Sequence, residues 1–234
     1  MSLDPSTASP FRVGFLLFPD LTQLDLTGPW EVLAGLPGTE VRLVWKEPGP
    51  VRAVKGMTIL ADTGFADCPA LDLLCVPGGP GVNALLTDPE VLDFVRRQAA
   101  GARYVTSVCT GSLVLGAAGL LRGRRAACHW TSREMLAAFG AIPADERVAV
   151  DGNLISGGGV TAGIDFALTV AAALHGDALA QAVQLQIEYA PAPPFTAGRP
   201  ETAPQSVVAA LRERARPMLD ERRAQVERAA AALS

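Results

Sequence analysis

Three short apolar runs, each broken at once by proline, glycine or a tight turn, constrain this chain most. They are FRVGFLLF at 11–18, ended by Pro19; LDLLCVP at 71–77, ended by Gly78-Gly79; and RYVTSV at 103–108, which stops against Cys109-Thr110-Gly111. An apolar run without alternation is a strand covered on both faces. Such strands belong in a parallel sheet with helices on either side. EVRLVWK at 40–46 adds a fourth strand, and residues 51–61 form a small β excursion.

The segments between the strands carry helix signals. Asp88-Pro89 gives an N-cap followed by proline at the first helical position and predicts a helix to about Ala100. Gly28, Pro29 and Glu31 read as the cap, first and third positions of a helix reaching about Leu36. Thr131 with Glu134 reads as a capping box for a helix ending at Gly140. Asp151-Gly152 is a hairpin turn between 146–150 and 153–156. Gly157–Gly159 then leads into a helix over 161–175, closed by Gly176. This order predicts an α/β fold, a flavodoxin-like parallel sheet sandwiched by helices.

At 234 residues the chain suits one domain over 11–234, preceded by a loose polar tail, MSLDPSTASP, at 1–10. The domain includes a final charged helix from about Gln205, where Val208, Leu211, Ala215, Met218 and Leu219 form an apolar stripe for packing on the domain or on a second subunit. A 49% hydrophobic and 19% charged composition excludes a mainly disordered chain. A net charge of −4 offers no electrostatic grip on nucleic acid or anionic lipid. The N-terminus lacks the basic stretch of a signal peptide, and Val13–Phe18 is too short to span a membrane, so a cytoplasmic location is expected. Cys68, Cys75, Cys109 and Cys128 show no C-x-x-C spacing, and His129 and His175 are the only histidines, so neither a zinc site nor a disulfide framework is expected.

Ligands of open α/β sheets bind beyond the carboxyl ends of the strands. Four features collect there: Asp25, Gly78-Gly79, Cys109 and Gly157–Gly159. Cys109 has small residues two places away on both sides, Ser107 and Gly111, which is the pattern of a nucleophile elbow. A helix N-terminus beside it should lower the thiol pKa. Asp25 stands between Leu24 and Leu26, where an idle carboxylate is costly, and it suits a general acid/base. Thr110 offers a hydroxyl and an N–H beside the sulfur. The Gly79 and Thr110 N–H groups are candidate donors to developing negative charge. Leu24, Trp30 and Val160 are candidate apolar lining. His129 is the histidine placed to complete a Cys-His pair, while His175 fits a helix C-terminus.

The pieces QLDLTGPWEVL, CVPGG, TSVCTGSLVLGAAGLL, ACHW, GGGVTAGIDFAL and QLQIEYAPAPPF resemble the ThiJ/PfpI superfamily, with its class I glutamine amidotransferase-like fold, over roughly 11–232. Within it, the Asp25 segment and the tail motif are most similar to the isocyanide hydratases. The resemblance implies hydration of an isocyanide to an N-substituted formamide, without metal or organic cofactor, by a homodimer. It places the nucleophile on Cys109, the acid/base on Asp25, the active-site threonine on Thr110 and a flexible glycine segment around Gly158. Substrate contacts are expected from Gly78, Gly79, Gly158, Val160 and Trp30. PfpI-type peptidases carry histidine where Thr110 stands, and Thr131 breaks the H-x-E context of an amidotransferase at His129. Regulators sharing the fold add a pair of helix-turn-helix motifs, for which residues 190–234 are too short. The alternative is a non-catalytic redox sensor or binding protein built around an oxidisable Cys109.

Overall fold

The first apolar run becomes β1 (Phe11–Leu16), followed by α1 (Gln23–Leu33) and β2 (Thr39–Trp45) in the computed structural model, which describes residues 9–233. All but the last two residues of the expected N-terminal tail lie outside that range. A hairpin of β3 (Gly49–Arg52) and β4 (Thr58–Ala61) accounts for the β excursion, and a short β5 (Thr63–Gly64) follows it. Next come β6 (Leu73–Val76), α2 (Val82–Leu85), α3 (Pro89–Gly101), β7 (Tyr104–Val108) and α4 (Gly111–Ala117). The remainder is β8 (Arg125–Ala127), a 3-10 segment Arg133–Phe139, β9 (Ile142–Ala144), β10 (Val148–Asp151), β11 (Leu154–Gly157), α5 (Ala162–His175), α6 (Asp177–Gln186) and α7 (Gln205–Ala231).

The main sheet runs β10-β11-β7-β6-β1-β2-β5. Every pairing in it is parallel except β10 with β11, the hairpin turned by Gly152 at a positive φ of 57°. The central strands β2-β1-β6-β7-β11 reproduce the flavodoxin-like order, with the reversal of winding between β1 and β6. That crevice receives the chain leaving both strands. It explains why Asp25 and Gly78, 53 positions apart, meet. The core on either side of the sheet includes Phe15, Phe18, Phe94 and Phe166, all fully buried. Each contributes about 1.5–3 kcal/mol of transfer free energy.

Three local expectations need correction. The first concerns α1, which begins at Gln23, so that Gly28 and Pro29 lie inside it instead of starting it. Gly28 is small because α5 crosses there: a Cβ on it would meet Ile164 Cγ1 at 3.2 Å, and one on Gly163 would meet Pro29 Cδ at 2.8 Å. The early start puts Asp25 in the first turn of α1. Second, Thr131 and Glu134 form no capping box. The Thr131 hydroxyl pairs with His129 Nδ1 at 2.8 Å, and the segment that follows is 3-10, ended by Gly140 at φ 72°. Third, α7 does not bury its predicted stripe as a whole. Val208 is buried, but Leu211 is 48% exposed, and the buried face continues through Arg222, Val226 and Ala229. Only the C-terminal half of α7 is pressed along its length against the domain.

Candidate active site

Cys109 leaves β7 with φ 58°, a left-handed conformation that costs a side-chain-bearing residue on the order of 1 kcal/mol or more. Three contacts hold it there. Its N–H donates to the Gly157 carbonyl at 2.9 Å. Gly111 is pressed against β6 so closely that a Cβ would overlap the Val76 carbonyl oxygen. On the other flank the Ser107 and Ser112 hydroxyls pair at 2.8 Å, and Ser112 donates to the Ala127 carbonyl at 2.6 Å. The strand-to-helix elbow read from the small residues is therefore present, and its thiol is almost wholly covered.

Asp25 is fully buried. The Gly78 N–H donates to its Oδ2 at 2.9 Å, while Oδ1 has no hydrogen-bond partner. Burial pushes the Asp25 carboxyl up to about 7, against the pull of the Gly78 N–H and of the facing Cys109 thiol. A carboxyl group balanced near neutrality can give and take a proton with little cost in either direction.

The helix terminus does not give Cys109 a low pKa. Burial, then the nearby Asp25 and Cys128, push this thiol well above its ordinary value, and the Thr110 N–H and the Arg222 guanidinium only partly offset them. The loss of water outweighs one N–H at the start of a short helix.

Thr110 does not cap α4 with its side chain. Its Oγ1 accepts from the Gly79 N–H at 3.0 Å and lies 3.3 Å from the Gly79 carbonyl oxygen. Gly79 therefore spends its N–H on Thr110, and Gly78 spends its own on Asp25. The Thr110 N–H is turned toward the Cys109 sulfur. Gly78 must be glycine, since a Cβ there would lie 2.5 Å from Thr110 N, 2.7 Å from its Oγ1 and 2.9 Å from Asp25 Oδ2.

A cavity of about 270 Å³ opens beside this centre, lined by Cys128, His129, Trp130, Arg147, Gly158, Gly159 and Val160 among others. Gly158 and Val160 line this cavity, and Cys109, Asp25 and Thr110 do not. Trp30 does not line that cavity and packs on Phe15, ring centroids 5.8 Å apart. His129 reaches the cavity wall, and burial holds its imidazole down at about 4, so it is neutral at pH 7.

One residue of the site went unread in the sequence. Arg222, from the far end of the chain, is 2% exposed. Its Nε donates to Asn83 Oδ1 at 2.8 Å, Nη1 to Ser132 Oγ at 2.9 Å and Nη2 to the Gly79 carbonyl at 3.1 Å. The available signal was its place four residues before Val226 and four after Met218, on the apolar stripe of α7.

The sequence profile of the DJ-1/PfpI family matches residues 11–173, the part that builds the sheet, the elbow and the Asp25 turn. The chain belongs to the DJ-1/PfpI family. Among DJ-1/PfpI relatives, the isonitrile hydratase of Pseudomonas putida is 60% identical over 95% of this chain and 98% of its own. A crystal structure of a ThiJ/PfpI family protein from Pseudomonas syringae superposes with a TM-score of 0.90, 40% identity, and coverage of 97% and 96% of the two chains. The transcriptional regulator GbdR of Pseudomonas aeruginosa is 31% identical over 79% of this chain, which matches 52% of that protein. The same DJ-1/PfpI scaffold therefore occurs in a named hydratase and inside a larger regulator. Of these two, the hydratase matches nearly end to end, over 95% of this chain and 98% of its own.

Proposed function

We propose that this chain is an isocyanide hydratase, converting R–N≡C and water into the formamide R–NH–CHO. The observation that carries the reading is the fully buried Asp25 carboxyl facing Cys109, with one oxygen unpartnered. The 60% identity to isonitrile hydratase over 95% of the chain supports it. A carboxyl group at about 7 facing the thiol is the proton carrier that hydration requires.

The chemistry follows from the geometry. Asp25 takes the Cys109 proton as the sulfur attacks the terminal isocyanide carbon, a soft electrophile. A C–S bond forms, and the same proton passes from Asp25 to that carbon, giving the thioimidate R–N=CH–S. Asp25, again a carboxylate, draws a proton from water as the hydroxyl adds to carbon, and passes that proton to nitrogen. The C–S bond then breaks, the hydroxyl proton returns to sulfur, and R–NH–CHO leaves. Thr110 orients the sulfur through its N–H and fixes the Gly78-Gly79 turn through its hydroxyl. Gly158 and Val160 admit the R group, and Gly78 and Gly79 meet the substrate at the turn that holds Asp25 and Thr110. Trp30 contributes by backing the sheet through Phe15.

We read residues 11–234 as one functional unit acting in the cytoplasm as a homodimer. No described helix is long and apolar enough to cross a membrane. Leu185 and Phe195, 80% and 77% exposed, give a second subunit an apolar surface. Purified protein mixed with para-nitrophenyl isocyanide, with formamide followed in the ultraviolet, tests the activity. Turnover in wild type and none in Cys109→Ala is expected; no turnover while iodoacetamide still labels Cys109 would overturn it.

A further inference from the structure

We propose that Arg222 is a positioning residue of this active site: its buried guanidinium, reaching the Gly79 carbonyl from α7, is the fixed counter-charge for the Cys109 thiolate. This deepens the hydratase reading and rests on it.

A guanidinium removed from water costs several kcal/mol unless a negative charge compensates it. Among the described residues no carboxylate lies within ion-pair distance of Arg222, and its donors end on three neutral acceptors, the side chains of Asn83 and Ser132 and the Gly79 carbonyl. The hydrogen bonds are satisfied, but among the described residues the charge is met only by Glu221, its chain neighbour beyond ion-pair distance, and by the Cys128 and Cys109 thiols when they ionise. The atom that acquires negative charge during the reaction is the Cys109 sulfur. Gly79, which Arg222 grips by its carbonyl, is bound through its N–H to Thr110, the next residue after Cys109. The guanidinium, the glycine turn and the elbow thus form one connected unit.

Charge accounting gives the role. With Asp25 ionised and Cys109 protonated, the centre holds one anion and one cation. Moving the proton from sulfur to the Asp25 carboxylate breaks S–H, forms O–H and leaves the total unchanged. The sulfur feels Arg222, whereas Arg222 is not among the groups acting on Asp25. Arg222 therefore favours the arrangement the reaction needs, thiolate beside protonated carboxyl. The other groups acting on the sulfur are Asp25, Cys128 and the Thr110 N–H; Cys128 in turn faces Arg222 itself, then the His129 N–H, Arg133 and Asp25, and Arg222 is also faced by Glu221, its neighbour on α7.

The test is the pH dependence of Cys109 alkylation by iodoacetamide, confirmed by thiolate absorbance after subtraction of a Cys109→Ser control. Arg222→Gln should raise the midpoint by about one pH unit or more and slow alkylation at neutral pH about tenfold. Arg222→Lys, which keeps charge but not the fork, should stay near the wild-type midpoint even if it melts earlier. Asn83→Asp neutralises the guanidinium in place with an isosteric carboxylate and should raise the midpoint as Arg222→Gln does. It decides the matter should Arg222→Gln fail to fold. An unshifted midpoint in folded Arg222→Gln or in Asn83→Asp overturns the proposal. Alkylation needs no isocyanide, so a wild type that fails to hydrate counts against the hydratase reading alone. A hydrating wild type with an unshifted Asn83→Asp counts against Arg222 alone.

Discussion

The Gly78 N–H holds the Asp25 carboxylate at 2.9 Å, and Gly78 leaves room for nothing larger than hydrogen between Asp25 and Thr110. One backbone turn thus sets the distance between the proton carrier and the elbow.

Gly78→Ala should therefore remove most activity, because its methyl group displaces the carboxylate or Thr110. A loss of at least about 100-fold in kcat/KM is expected if the acid/base is misplaced. Gly159→Ala, with nothing within 4 Å of the added methyl, should melt with wild-type Tm. Steady-state kinetics and thermal melts of the pair would check both.

Asp25→Asn should keep the fold, since an amide oxygen can still accept from Gly78, and lose roughly 100- to 10,000-fold in turnover. It should also change how stability varies with pH. Folded Asp25 sits at about 7 against 3.8 ordinarily, so between those values the folded chain holds more protons than the unfolded one. The stability this proton provides is complete below about pH 4 and is lost as pH rises toward 7. Its ceiling is about 4 kcal/mol. Denaturant melts across that window should fall more steeply with rising pH for wild type than for Asp25→Asn.

His129 should show the opposite sign. Its imidazole is held at about 4 instead of 6.5, so its contribution to stability is full above about pH 6.5 and is lost as pH falls to 4. Proton NMR of the ring should follow a midpoint near 4. A midpoint near 6.5 would mean that water reaches the imidazole freely.

Cys109→Gly should be more stable than Cys109→Ala by about 1 kcal/mol, because glycine adopts φ 58° without strain and alanine does not. Both should be inactive. Equal stabilities in urea titrations would show that the elbow carries no conformational cost.

The strands were legible because burial on both faces leaves a run with no polar alternation, as in FRVGFLLF and LDLLCVP. The elbow was legible because Ser107 and Gly111 must be small for β7 to turn into α4. Gly28 misled because small size has two uses: it can free a backbone for capping, or let a second helix come close, and only α5 decides between them. Thr131 misled because its hydroxyl had a nearer partner in His129. The place of Arg222 on the α7 stripe signalled its burial but not its partners, since Gly79, Asn83 and Ser132 lie 143, 139 and 90 positions away.

The reach of α7 also sets an order of events during synthesis. Cys109 and Asp25 emerge from the ribosome long before Arg222, and the sheet that holds them is complete by Gly157. On the proposed role of Arg222, a chain that stopped before α7 would hold the sequence of the sheet, Asp25 and Cys109 without the guanidinium. Cleavage within the largely exposed segment 190–204 would cut the covalent tie between Arg222 and the sheet that carries Cys109, leaving α7 held only by its packing and by the hydrogen bonds of Arg222.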